Sequence, residues 1–149
     1  MNNESGIIQN NGGTFTNTNQ GQINNAGKIE STSPIYNIGN GTIDTTQGVL
    51  SGNVIGGLDA EASWEVNGEK YYGSLEKAIE AVTDTEEAKI TLMGNPVIID
   101  ENVSIPNNAT LKVPNNTSLE ITGTLENKGK IEVMNGRERS PLRSANSKF

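Results

Sequence analysis

Apolar and polar residues alternate in short bursts along the C-terminal half of the chain. Val103-Ser104-Ile105, Leu111-Lys112-Val113 and Leu119-Glu120-Ile121 follow one another at a spacing of eight residues. An alternation of period two is the mark of a half-buried strand. Pro-Asn-Asn closes the first two bursts, at 106–108 and 114–116. Proline at a strand end withholds its N–H where a ladder loses least. Three such units make about 24 residues, which predicts one coil of a three-faced parallel β-helix.

A second pattern joins distant segments. Residues 21–31 read GQINNAGKIES and residues 123–133 read GTLENKGKIEV, so both fit G-x-[IL]-x-N-x-G-K-I-E. Weaker copies run from Gly13 to Asn17 and from Gly41 to Thr45. Each copy offers one large aliphatic residue to an interior, with Asn or Gly to turn the corner. Such a strand cannot bury its apolar side alone, whereas stacked copies can. A six-residue period would have pointed to the left-handed solenoid. The spacing therefore favours a mainly β fold of right-handed parallel β-helix segments. Turns every 8–12 residues also fit a sandwich of antiparallel hairpins, the alternative architecture.

The middle of the chain breaks the pattern. Gly52, Gly56 and Gly57 punctuate residues 47–62, which read as a linker. Asn67-Gly68 then sits between Ser63-Trp64-Glu65-Val66 and Glu69-Lys70-Tyr71-Tyr72. This predicts a hairpin, because a type I′ turn needs positive φ at both central residues. One helix follows, from about Ser74 to Val82. Ser74 is a suitable N-cap and Glu76 suits the positive end of the dipole. Leu75, Ala78, Ile79 and Val82 form one apolar stripe. So short a helix needs a surface to pack on. Its expected role is to cap a coil stack, covering its apolar end and first edge. Ala88–Met93 and Pro96–Asp100 read as the next two strands. The expected layout is thus a repeat segment over 1–46, a linker over 47–62, and a hairpin, capping helix and second solenoid over 63–134. Residues 135–149 read as a disordered basic tail.

WEVNGEKYYGSLEKAIEAV, then KITLMGNPVIIDENVSIPNNATLKV and LEITGTLENKGKIEV, resemble the modular surface proteins of Gram-positive bacteria. In those, a V-x-N-G-x-x-Y-x-S-L-x-x-A-I segment and an I-T-L strand open a pectate-lyase-like right-handed β-helix. The G-x-[IL]-x-N-x-G-x-[IL] repeats are similar to those of β-helical adhesins. The likeness covers residues 63–134 well and 6–46 loosely. It implies a rigid spacer or adhesive module at a cell surface, in contact with glycan or a host surface. Neither an export signal nor a wall anchor is visible, so the chain reads as a piece of a larger exported protein.

Composition sharpens the exclusions. Of 149 residues, 17 are Gly and none is Cys or His. This removes disulfides, thiolate ligands, and the commonest general base and metal ligand. No apolar run is long enough to span a bilayer. The net charge of −7 sets the body against nucleic acid and anionic membrane. Arg137, Arg139, Arg143 and Lys148 concentrate basic charge in the last fifteen residues. Asn and Thr are abundant enough that sequons such as Asn108-Ala109-Thr110 and Asn116-Thr117-Ser118 arise by chance.

Candidate chemistry is sparse. The four aspartates, Asp44, Asp59, Asp84 and Asp100, lie far apart in sequence, although stacking can bring residues one coil apart together. Glu120, Glu126 and Glu132 recur every six residues and would either line one face as a weak cation site or form a solvated face with Lys112, Lys128 and Lys130. Asp84-Thr-Glu-Glu87 lacks the glycine and distal glutamate of a calcium loop. Gly12-Gly13 and Gly56-Gly57 lack the strand–loop–helix context of a phosphate loop. Trp64, Tyr71 and Tyr72 would serve either as a sugar platform or as the core of the cap. No catalytic, cofactor or metal residue is assigned. The expectation is a non-enzymatic solenoid module that self-associates through its ends. The alternatives are a fragment of a polysaccharide lyase or hydrolase whose active coils lie elsewhere, and a truncated product without function of its own.

Overall fold

A computed structural model describes residues 1–83, 85–94 and 96–134. Over these residues the chain is mainly β, a β-solenoid of about six turns with one short helix. The first coil holds β1 (Ile7–Asn10), β2 (Phe15–Asn17) and β3 (Gln22–Asn24). The second holds β4 (Lys28–Ser31), β5 (Ile35–Asn37) and β6 (Thr42–Asp44). The third holds β7 (Val49–Ser51) and β8 (Val54–Gly56), and Asp59 continues it by a parallel bridge to Asp44. Residues 47–62 are therefore mostly coil rather than linker. Their glycines fall at corners, where Gly52 and Gly56 take φ of 136° and 117°.

A hairpin interrupts the coils, β9 (Ala62–Val66) and β10 (Glu69–Gly73). Asn67 and Gly68 take φ of 53° and 81°, the positive values that a type I′ turn needs. Next comes α1 (Leu75–Val82). The second stack follows: β11 (Ala88–Leu92), β12 (Val97–Ile99) and β13 (Asn102–Ile105), then β14 (Ala109–Val113), β15 (Leu119–Ile121) and β16 (Thr124–Asn127), and finally β17 (Lys130–Val133). The three eight-residue units occupy the successive faces β13, β14 and β15. A full coil is shorter than the expected 24 or so residues. Ile23 pairs with Ile43 20 residues on, and Val97 with Leu119 22 residues on. The reason is that Pro-Asn-Asn corners are longer than the rest; only Lys128 and Gly129 separate β16 from β17.

The shared decapeptide marks one recurring place. Residues 21–31 run from β3 round a corner into β4, and residues 123–133 run from β16 into β17. At both corners an Asn side chain accepts from the following glycine: Gly27 N–H to Asn25 Oδ1 and Gly129 N–H to Asn127 Oδ1, each 3.1 Å. A Cβ at Gly27 would run into the carbonyl oxygens of Asn3 and Gly6, and one at Gly129 into those of Pro106 and Ala109. Identical sequence here means an identical close approach to the coil below.

Eight strands make one sheet, in the order β1-β4-β7-β10-β9-β11-β14-β17. The pairings β1–β4–β7 and β11–β14–β17 are parallel. Those of β7–β10, β10–β9 and β9–β11 are antiparallel. Three reversals leave the second stack running opposite to the first. The register shows the consequence. Ile29, Leu50, Tyr72, Ser63, Thr91 and Lys112 form one row across the sheet. Its first members are core, Ile29 and Leu50, while Thr91 and Lys112 are only half-buried. The adjacent row is Glu30, Ser51, Tyr71, Trp64, Ile90 and Leu111, and there the burial is inverted. The two stacks thus lie on opposite sides of a single sheet. A coil of constant hand keeps its interior on a fixed side of its strand direction. Reversing the strands through the hairpin therefore carries the interior across, with the hand retained.

Two cores result. One gathers Ile29, Ile35, Ile43 and Leu50 with Phe15, Ile23 and Tyr72. The other gathers Trp64, Ile90, Leu92, Ile99, Ile105 and Leu111 with Leu75, Ala78 and Val82 of the helix. The helix covers the interior of the second stack as expected, but its first edge is closed by β9 pairing with β11. Ser74 caps the helix, its hydroxyl accepting from Lys77 N–H at 3.1 Å. Glu61 accepts from Leu75 N–H at 2.9 Å. At the other end Asn108, from a Pro-Asn-Asn corner, donates to Val82 O and Thr85 O at 2.8 and 2.6 Å. These bonds satisfy terminal groups that the helix itself cannot.

Candidate functional site

The change of side leaves a step. Beyond β10 the outer surface of the first stack meets the hairpin and the flank of α1, and a cleft of about 640 Å³ opens between them. Its floor is the outward row of the first stack, with Lys28, Glu30, Val49 and Ser51. Its wall holds Trp64, Val66, Glu69 and Tyr71, and Lys77, Glu80 and Ala81 of the helix overhang it.

Tyr71 is the pivot of this wall. Its cross-strand partners are Trp64 on β9 and Ser51 on β7. Toward β9 its ring stacks on Trp64, with centroids 5.9 Å apart and planes 18° from parallel. Toward β7 its cross-strand neighbour is the small Ser51, and both residues line the cleft. The phenol donates to Glu69 Oε1 at 2.9 Å. Burial raises the Tyr71 pKa above its ordinary value, and the Glu69 carboxylate adds to this. Across the floor, Glu30 accepts from Gln9 Nε2 at 2.9 Å and pairs with Lys28 Nζ at 3.0 Å. These two contacts, Gln9 first, hold the Glu30 carboxyl below its ordinary pKa. Trp64 itself is only 3% exposed, and its Nε1–H meets no acceptor among the described residues.

The three aromatic residues thus divide. Trp64 is core, Tyr71 is half-buried between core and cleft, and Tyr72 packs into the first core with the Lys70 ammonium 5.8 Å from its ring centre. The core role considered for them holds for Trp64 and Tyr72, while Tyr71 also lines the cleft. The signal for this split was the parity of adjacent tyrosines on one strand, which sends them to opposite sides.

The acidic candidates separate further. Glu120, Glu126 and Glu132 lie on β15, β16 and β17, which belong to three different sheets, so they line no common face. A six-residue spacing nearly matches one face plus its corner, and each step moves round the coil. Glu126 and Glu132 stand beside Lys128 and Lys130 at 3.9 and 3.0 Å. Lys130 lowers the Glu132 pKa by a hydrogen bond. Stacking does bring Asp44 and Asp59 into register. The Asp44 carboxylate is already engaged, accepting from Thr46 N–H and Oγ1–H at 2.9 and 2.7 Å. Asp84 and the basic tail lie outside the described residues. Among those described, no three acidic side chains group as a metal site, and no helix is long and apolar enough to cross a membrane. A second cleft, of about 600 Å³, is lined by Glu61, Glu76, Glu80, Asp100 and Glu101, of which Glu61 is committed to the helix N-terminus. No family model, curated protein or solved structure matches the chain.

Proposed function

We propose that this chain is a non-catalytic β-solenoid module of an exported surface protein, serving as a rigid spacer and as a contact for glycan. The observation that carries the reading is the continuous sheet through both stacks. Eight strands at a spacing of about 4.8 Å give a sheet roughly 34 Å long. The hairpin joins the stacks by backbone hydrogen bonds rather than by a flexible tether, which suits extension. In the cleft, Gln9 and Lys28 hold the Glu30 carboxyl below its ordinary pKa, which suits a hydrogen-bond acceptor rather than the acid of raised pKa that glycoside cleavage needs. A cell-surface location and a glycan or host-surface partner follow from the resemblance of residues 63–134 to Gram-positive surface modules.

The edges support self-association as a second property. Ile7 and Ile8 of β1 are 64% and 38% exposed, and Val133 of β17 is 69% exposed. Edge strands with apolar side chains pair with other chains. Incubation with pectin, alginate and other anionic glycans, with and without Ca²⁺, tests the non-catalytic reading. No new reducing ends or unsaturated products should form. Product formation would transfer the chain to the lyase or hydrolase alternative.

A further inference from the structure

We propose that the cleft at the step between the two stacks binds a neutral oligosaccharide, with Tyr71 as its stacking surface. The proposal rests on the glycan-contact reading and gives it a site and a ligand class. Three observations carry it.

First, Tyr71 lines the cleft. Its ring is braced on one side by Trp64, and its cross-strand neighbour on the other side is the small Ser51. An aromatic face braced from behind is a rigid platform for the C–H face of a pyranose. Second, the width fits. Two strand spacings, roughly 9.6 Å, separate Tyr71 on β10 from Glu30 on β4 in the same row. A sugar stacked about 4 Å from the ring leaves its far hydroxyls within reach of Glu30 and Lys28. Those two groups form an acceptor and donor pair already oriented by their ion pair and by Gln9. Third, the charge selects against acidic sugars. Lys28 and Lys77 face Glu30, Glu69 and Glu80, on a chain of net charge −7. A uronate would meet an excess of negative charge, whereas hydroxyls can both donate and accept. The cleft has the make-up of a small-ligand site, an apolar wall with a few convergent polar groups.

The test uses the full chain with cellohexaose, xylohexaose and mannohexaose, and with polygalacturonate and alginate as acidic probes. Trp64 is the only tryptophan, so a ligand on Tyr71 changes a single fluorophore one ring away. Calorimetry supplies the affinity. At least one neutral hexasaccharide should bind and shift the Trp64 emission. The acidic polymers should bind at least about tenfold more weakly. Tyr71→Ala should abolish binding but also removes packing from Trp64. Ser51→Phe is the cleaner variant, since it fills the slot against Tyr71 on an outward position and leaves both cores intact. It should abolish binding while retaining the unfolding midpoint. Absence of binding by all three neutral hexasaccharides, a preference for the acidic polymers, or unchanged affinity in Ser51→Phe would overturn the site. None of these results touches the non-catalytic reading, which fails only on product formation.

Discussion

Asn25→Ala is expected to remove about 3–4 kcal/mol of stability from the first stack. Asn25 is 3% exposed, and its side chain takes part in four hydrogen bonds at the corner between β3 and β4. Its Oδ1 accepts from Asn2 Nδ2 at 2.8 Å and Gly27 N–H at 3.1 Å. Its Nδ2 donates to Thr45 Oγ1 and Val49 O, each at 3.0 Å. A typical bond contributes about 1 kcal/mol net, and a buried partner left unpaired costs about 1–3 kcal/mol. Asn2 keeps its bonds to Gly6 O and Lys28 O, which limits the loss on that side. Thr45 is fully buried, so its hydroxyl loses a partner that water cannot readily replace. Against a domain stability of roughly 5–15 kcal/mol, the change is large. Urea unfolding should be followed by far-ultraviolet circular dichroism and by Trp64 emission. Circular dichroism reports all strands, while Trp64 reports the second core. The circular dichroism midpoint should fall. The Trp64 midpoint should fall less, because the nearest bond lost, to Val49 O on β7, lies two strands from Trp64 on β9. A double-mutant cycle with Thr45→Val should return a coupling of about 1 kcal/mol. A total loss below about 1 kcal/mol would show that the buried asparagine row fills space without holding the coils together.

Three further outcomes are expected. Gly129→Ala should cost at least about 2 kcal/mol, because its Cβ meets the Pro106 and Ala109 carbonyl oxygens; thermal unfolding would measure it, and a neutral result would refute the close approach. Tyr71 should ionise above the ordinary tyrosine value of 10.0, read at 295 nm as the difference between wild type and Tyr71→Phe. Because the folded state favours the neutral phenol, this stabilisation is complete below the unfolded pKa and is lost as pH rises through the folded one; a Tyr71 titration below 10.0 would contradict its burial. Ile8→Lys, an inward-facing charge on the β1 edge, should suppress concentration-dependent association, and sedimentation showing equal association in both proteins would place the contact elsewhere.

Much of this molecule is local and therefore legible in its sequence. The Asn67-Gly68 turn, the Ser74 cap, the helix stripe and the strand bursts each depend on residues a few positions apart. Period, cap and turn chemistry specify these elements before any long-range contact forms. The decapeptide repeat was also informative at distance, because equal corners need equal glycines and asparagines. Less legible was the stretch from 47 to 62, whose glycines suit a linker and a coil corner equally well. Glu120, Glu126 and Glu132 left a one-face cation site and a solvated face with lysines both open, because a spacing of six does not state where a corner falls.

The sequence by itself determined a stack of short strands with asparagine corners, a hairpin and one helix. Only the tertiary structure decided that the interior changes sides. That depends on three antiparallel pairings between β7 and β11, which reverse the strands of the second stack. A row of side chains such as Glu30, Ser51, Tyr71, Trp64 and Ile90 is outward at one end and core at the other. No periodicity within a strand carries that information, because burial there is set by which stack lies on which side of the sheet. The same reversal creates the step with Tyr71 in its wall, and so puts the candidate site where no motif marks it.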